Sequence, residues 1–324
     1  MEENVGLSRR SYNRGRDWIK SLGPGLITGA SDDDPSGIAT YSQAGAQTGF
    51  QTLWVMLFAY PMMATIQLVS AEIGRVTGAG LAGNMKKYYP KWIMGSVVML
   101  MVMANIVNIG ADISAMGEAV HLVSGGHAVI FSIILTVLSL GLQILIPYRK
   151  YVSFLKWLTL VLFSYVGVIF CIHIDWLDVL KHLVIPTFGT DKTFFLAMIA
   201  LLGTTISPYL FFWQASEEVE EEEDNPDESP LLIAPEQAIG AFARIKTDTL
   251  VGIGFSNAVA IFIIISAAVT LHNTGNTDIE SAAQAAEALR PIAGDFAFFL
   301  WHRYHRYRNA CITCTGRICC LCSR

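Results

Sequence analysis

What most constrains this chain is a succession of apolar runs, each long enough to cross a lipid bilayer, separated by short polar connectors. A helix rises about 1.5 Å per residue, so a hydrocarbon core of about 30 Å needs about 20 apolar residues. Runs of that kind lie at 23–49, 51–74, 93–123, 127–147, 152–174, 193–215 and 249–271, and a further one opens near Gly294. Charged residues make up only 15% of the 324 positions, against about 25% in a soluble domain. The pattern implies an all-α integral membrane protein of about seven spans plus the start of an eighth, with the bilayer as its main partner. Net charge is −5, but one acidic connector outweighs it, so charge points to no nucleic-acid partner. No obligate protein partner is indicated either.

Lys and Arg set the expected orientation, because cytoplasmic loops are enriched in them. Arg9, Arg10, Arg14, Arg16 and Lys20 crowd the N-terminal tail, residues 1–22. Arg75, Lys86, Lys87 and Lys91 follow the second span, Arg149, Lys150 and Lys156 the fourth, and Arg244 and Lys246 the sixth. The connectors after the first and third spans have none. The N-terminus is therefore expected in the cytoplasm and the protein in the plasma membrane.

Two spans are interrupted by polar residues. The first contains Ser31-Asp32-Asp33-Asp34-Pro35-Ser36-Gly37. A carboxylate at mid-membrane costs about 3 kcal/mol on insertion scales, and Pro35 and Gly37 disfavour continuous helix. The sixth contains Gly203-Thr204-Thr205-Ile206-Ser207-Pro208-Tyr209. Pro208 breaks that helix, and the hydroxyls supply oxygen atoms. Unwound backbone at membrane depth persists only inside protein or beside a wet cavity. Two broken helices in corresponding places mark the ion site of a secondary transporter. The plainer alternatives are solvated carboxylates near a surface and a proline kink satisfied by neighbouring hydroxyls.

The stretch DPSGIATYSQAGAQTGFQTLW resembles the first-helix motif of the Nramp family of divalent-metal transporters, and GTTISPYLFFWQAS resembles their sixth-helix motif. The resemblance runs from about Gly23 to Leu300. It implies a LeuT-like inverted-repeat helix bundle over residues 23–300, with the second repeat incomplete. It also implies a transported cation rather than a bound cofactor.

By that resemblance Asp34 falls on the family's metal-binding aspartate. Gly37 stands where the family has an asparagine ligand, Ser207 where it has methionine, and Thr204 where an alanine donates its carbonyl. With Ser31 these form the expected metal site. Exchanging soft sulfur for oxygen hardens a site, and Mg²⁺ keeps several of its waters. The pattern therefore resembles the Nramp-related magnesium transporters, with Mn²⁺ as a second ion. Tyr209 and Gln214 replace the family's two histidines, and Ala115 replaces a glutamate near Asp112. Glu118 lies almost two turns beyond Asp112. These losses predict transport without tight proton coupling, leaving Asp33, Asp112, Glu118 and Tyr209 as secondary cation or relay positions. For Asp112, a buried hydrogen-bonded carboxylate is an equal alternative.

Other features carry less. The acidic run from Glu217 to Glu228 is expected to be a solvated loop, as like-charge blocks usually are. His121, His127, His173 and His182 read as interfacial, Cys171 as packing, and Trp54, Trp92 and Trp157 as interface anchors. Residues 301–324 break the apolar pattern with Arg, His and five cysteines, Cys311, Cys314, Cys319, Cys320 and Cys322. A one-base shift of frame would turn them into an apolar continuation of the eighth span, so they read as a frameshift product in preference to a zinc site. A non-transporting fragment is the alternative to an active transporter. An intramembrane metal-dependent enzyme using Asp32, Asp33 and Asp34 ranks far lower, since no nucleophile or general base accompanies them.

Overall fold

The computed structural model describes residues 34–145, 167, 169, 174–272, 275 and 279. Most of the fifth span, the start of the eighth, the Cys-rich tail, Ser31, Asp32, Asp33, Trp157, Cys171 and His173 lie outside them. The helices are α1 Pro35–Thr48, α2 Leu53–Thr77, α3 Leu81–Tyr88, α4 Lys91–Ser124, α5 Ala128–Leu145, α6 Trp176–Val184, α7 Lys192–Thr205, α8 Pro208–Asp224 and α9 Ala238–Thr270. By length and composition, α2, α4, α7 with α8, and α9 with its short 3₁₀ lead-in are each able to cross a membrane.

Two places show why helices start where they do. At Asp34-Pro35 and at Ser207-Pro208 the residue before proline is extended, with ψ of 167° and 122°, and proline takes the first helical position. Proline's ring clashes with a helical predecessor, while its missing N–H is harmless in a first turn. Each motif therefore starts a helix. The sixth span becomes two, α7 ending at Thr205 and α8 starting at Pro208.

The core forms where α9 packs against α1 and α2, α7 against α1, and α8 against α2. Small residues let these backbones approach closely. A Cβ on Gly45 of α1 would collide with the Ile264 carbonyl of α9, and one on Gly74 of α2 with the Ala215 carbonyl of α8. Tyr41, Leu53, Met56, Leu201, Ile263 and Ile264 fill the space between these helices. The α4–α5 pair instead exposes Met99, Leu100, Ile106, Val107, Ile133 and Val137, side chains suited to lipid.

The structure departs from the sequence reading at several points. Helix α9 begins at Ala238, ahead of the apolar run, because Arg244 and Asp248 in its first turns find partners or burial in the protein. Two short helices, α3 and α6, fall below the length at which hydropathy detects a span; Asp175 caps α6 by accepting from the Leu177 and Asp178 N–H groups. Trp54 is no lone anchor. Its Nε1 donates to the Thr187 carbonyl at 3.1 Å and its ring packs on Phe58 and Phe188. Trp92 is exposed, and His121, His127 and His182 stand at or beside helix ends.

The acidic run is the largest departure. Glu217 to Asp224 continue α8, and Glu217, Glu218 and Glu222 are buried. Arg75, only 1% exposed, pairs with Glu222 at 2.7 Å and Glu228 at 2.9 Å. It also donates to the Ser229 carbonyl and Gln237 Oε1. Arg244 pairs with Glu218 at 2.6 Å and Glu221 at 3.1 Å. The following loop is strapped to the end of α2, Leu231 and Leu232 N–H donating to the Arg75 and Val76 carbonyls. Four of the run's carboxylates, Glu218, Glu221, Glu222 and Glu228, are thus paired with two arginines on other helices, which offsets part of the repulsion expected of a loop.

Candidate metal centre

Asp34 is the N-cap of α1, and its carboxylate draws together three parts of the fold. Oδ1 accepts from the Gly37 N–H at 2.6 Å, as an N-cap carboxylate does, and the Ser36 hydroxyl lies 2.8 Å from the same oxygen. Oδ2 accepts from Asn108 Nδ2 of α4 at 2.8 Å and from the Tyr209 hydroxyl of α8 at 3.3 Å. The starts of α1 and α8 therefore meet at one carboxylate.

The remaining expected residues sort themselves around this point. Gly37 contributes its backbone N–H to Asp34. Ser207, buried, donates its hydroxyl to the Thr204 carbonyl at 2.7 Å, so the two residues read as ligands are bonded to each other across the helix break. Asp112 lies one turn beyond Asn108 on α4, and its Oδ1 is buried with no hydrogen-bond partner among the described residues. Glu118 lines a cleft of ≈ 310 Å³ between α1 and α4 with Ser36, Thr40, Gln43 and Ser114. Gln214 donates to Glu218 Oε1 at 3.5 Å. Ser31 and Asp33 are not among the described residues.

Asn108 and Ser36 carry little signal in the sequence: Ser36 lies inside the first motif, and Asn108 is an amide in an apolar run four residues before Asp112.

The electrostatics suit a cation held by few charges. The N-terminus of α1 and that of α8 both point here, and helix N-termini favour anions, so the Asp34 charge is needed to invert the local field. The C-terminal carbonyls of α7 work in the same direction, as half-helix C-termini do in ion sites. Among the described residues no three His, Cys, Asp or Glu side chains gather. The side chains gathered at this point are the Asp34 carboxylate, the Ser36 and Tyr209 hydroxyls and the Asn108 amide.

Four stretches of membrane length, packed with two helices that start side by side at Asp34-Pro35 and Ser207-Pro208, define an α-helical membrane protein. The model of the family described as natural resistance-associated macrophage protein-like (Nramp) matches residues 25–302, and the chain belongs to that family. It is 26% identical over 310 residues to the divalent metal cation transporter MntH of Erwinia tasmaniensis, covering 92% of this chain and 70% of that protein. Its fold matches crystal structures of a manganese transporter of Eremococcus coleocola, one of a mutant (TM-score 0.67) and one with an aromatic bis-isothiourea compound (TM-score 0.64). Identity to both is 18%, over 79% of this chain and 52% of theirs. The chain thus spans about half the length of those solved structures. It is a multi-pass membrane protein of the Nramp fold, a family of transporters rather than enzymes.

Proposed function

We propose that this chain moves divalent metal cations across the plasma membrane, Mg²⁺ first and Mn²⁺ second, with its N-terminus in the cytoplasm. The observation that carries this is the meeting of Asp34 from the first broken span with Tyr209 from the sixth. Such a meeting supports a cation site at the hinge where two half-helices rock. The names of the relatives support divalent metal as substrate class. Preference for Mg²⁺ rests on the hardness of the donors: Ser207 offers oxygen where the family resemblance implies methionine sulfur, and Thr204 keeps an oxygen where it implies a backbone carbonyl. Asp34 is the ligand that carries charge, and Gly37 leaves room beside it for a water the ion keeps.

Flux is driven by the membrane potential without tight proton coupling, because Tyr209 and Gln214 occupy the places of the family's histidines and neither titrates near neutral pH. Asp33, Asp112 and Glu118 act at most as secondary cation positions along the path. The test is divalent-cation influx into proteoliposomes bearing the 324-residue chain, with internal pH followed at the same time. We expect Mg²⁺ influx that Asp34→Ala abolishes and that leaves internal pH unchanged. Influx unaffected by Asp34→Ala overturns the assignment of the site, and stoichiometric acidification overturns the uncoupled mechanism.

A further inference from the structure

Asn108 stands in an apolar stretch of α4, between Val107 and Ile109. A primary amide removed from water must bond at both ends or forfeit its solvation. Both ends are bonded here, and to the residues that open α1: Nδ2 donates to Asp34 Oδ2 at 2.8 Å, and Oδ1 accepts from the Ser36 hydroxyl at 2.8 Å. The same hydroxyl lies 2.8 Å from Asp34 Oδ1, so the three side chains close a ring.

We infer that Asn108 is the positioning residue of the Asp34 cation site, holding the carboxylate so that it offers one oxygen to the ion. The inference rests on the reading of Asp34 as the metal-binding carboxylate. A carboxylate accepts about four hydrogen bonds in all. Asn108 and Tyr209 occupy Oδ2, and Gly37 occupies one side of Oδ1. Ser36 has a single hydroxyl hydrogen and two acceptors in reach. When that hydrogen goes to Asn108 Oδ1, one lone pair on Asp34 Oδ1 is left open, and the lone pairs of Ser36 Oγ are left facing away from its own hydrogen. The carboxylate is then monodentate, with a neutral oxygen beside it.

The rotation of a carboxylate about its last bond is soft and broad. Gly37 and Ser36 belong to the same segment as Asp34 and move with it. Asn108 comes from another helix, at a shorter distance than Tyr209, and fixes the carboxylate plane relative to the bundle. Monodentate presentation suits Mg²⁺, which holds near-octahedral geometry and keeps its waters, whereas Ca²⁺ accepts bidentate carboxylates and more ligands. Freeing Asp34 to turn should therefore penalise Mg²⁺ more than Ca²⁺.

The test is calorimetric titration of Mg²⁺, Mn²⁺ and Ca²⁺ into the purified 324-residue chain in detergent. The variants are Asn108→Ala, Asn108→Leu (close in volume and at home in a membrane helix), Asp34→Ala and, as a control one turn earlier on α4, Asn105→Leu. Outer partners of metal ligands typically contribute roughly 10–100-fold to affinity. We expect Mg²⁺ binding to weaken by that much in both Asn108 variants, Ca²⁺ to weaken clearly less, and Asn105→Leu to behave as the parent. Equal loss for all three ions, or unchanged affinity in both Asn108 variants, overturns the inference while Asp34→Ala still abolishes binding. If Asp34→Ala binds like the parent, the reading of the site itself fails and Asn108 has nothing to position.

Discussion

The Tyr209 hydroxyl lies 3.3 Å from Asp34 Oδ2, a bond between residues 175 positions apart that joins the starts of α8 and α1. It is long for an O–H···O bond to a carboxylate, and the Gly37 N–H and the Asn108 amide hold the same group at shorter distances. Removing it by Tyr209→Phe should cost about 1 kcal/mol, or about fivefold in cation affinity. Titration with Mn²⁺ measures this directly. A loss as deep as that of Asp34→Ala would mean that the phenol oxygen itself meets the ion.

Ser207 tests the origin of selectivity. It is buried and bonded to the Thr204 carbonyl at the break between α7 and α8. Ser207→Met would place a thioether there, a soft ligand that favours transition metals. Competition binding should then move toward Mn²⁺ and Cd²⁺ and away from Mg²⁺, by about tenfold. An unchanged ratio would remove Ser207 from the set of ions' neighbours.

Arg75 governs stability rather than binding. It is buried against Glu222 and Glu228 where the loop after α8 meets the end of α2. Removing one partner of a buried pair leaves an uncompensated charge and costs about 3–5 kcal/mol. Arg75→Ala should therefore lower the unfolding temperature sharply in detergent. Adding Glu222→Gln to it should restore part of the loss, since the orphaned charge goes with it. Additive losses would show that the pair does not act as a unit.

Gly45 and Gly74 are predicted to tolerate no side chain of size. In each case a Cβ meets the backbone carbonyl of a packed helix, which cannot swing aside. Overpacking of this kind costs about 1–3 kcal/mol or more. Gly45→Val should separate α1 from α9, seen as a lower unfolding temperature and a broadened size-exclusion peak. Gly203, with open space around its Cα, is the position where an alanine should be accepted.

Much of the architecture was legible in the chain itself, and for one reason. Hydropathy and proline act locally: α2, α4 and α5 lie within a few residues of the apolar runs that announce them, and α1 and α8 start at Asp34-Pro35 and Ser207-Pro208, where the steric rule for the residue before proline puts them. Asp34 is marked by its place beside Pro35 in an apolar run, and Tyr209 by family resemblance; their contact is not local, and only the pairing of interrupted helices points to it.

What only the tertiary structure decided is who neutralises or orients whom. The run Glu217 to Asp224 reads as a repelling loop until Arg75 and Arg244 arrive from α2 and α9 and make it helix. Asn108 reads as one polar residue in an apolar span until α4 brings it to Asp34 and Ser36. The physical reason is common to both. Burial penalties are assigned by the local sequence, but the partners that offset them stand on other helices, and no periodicity or composition records which helix comes alongside.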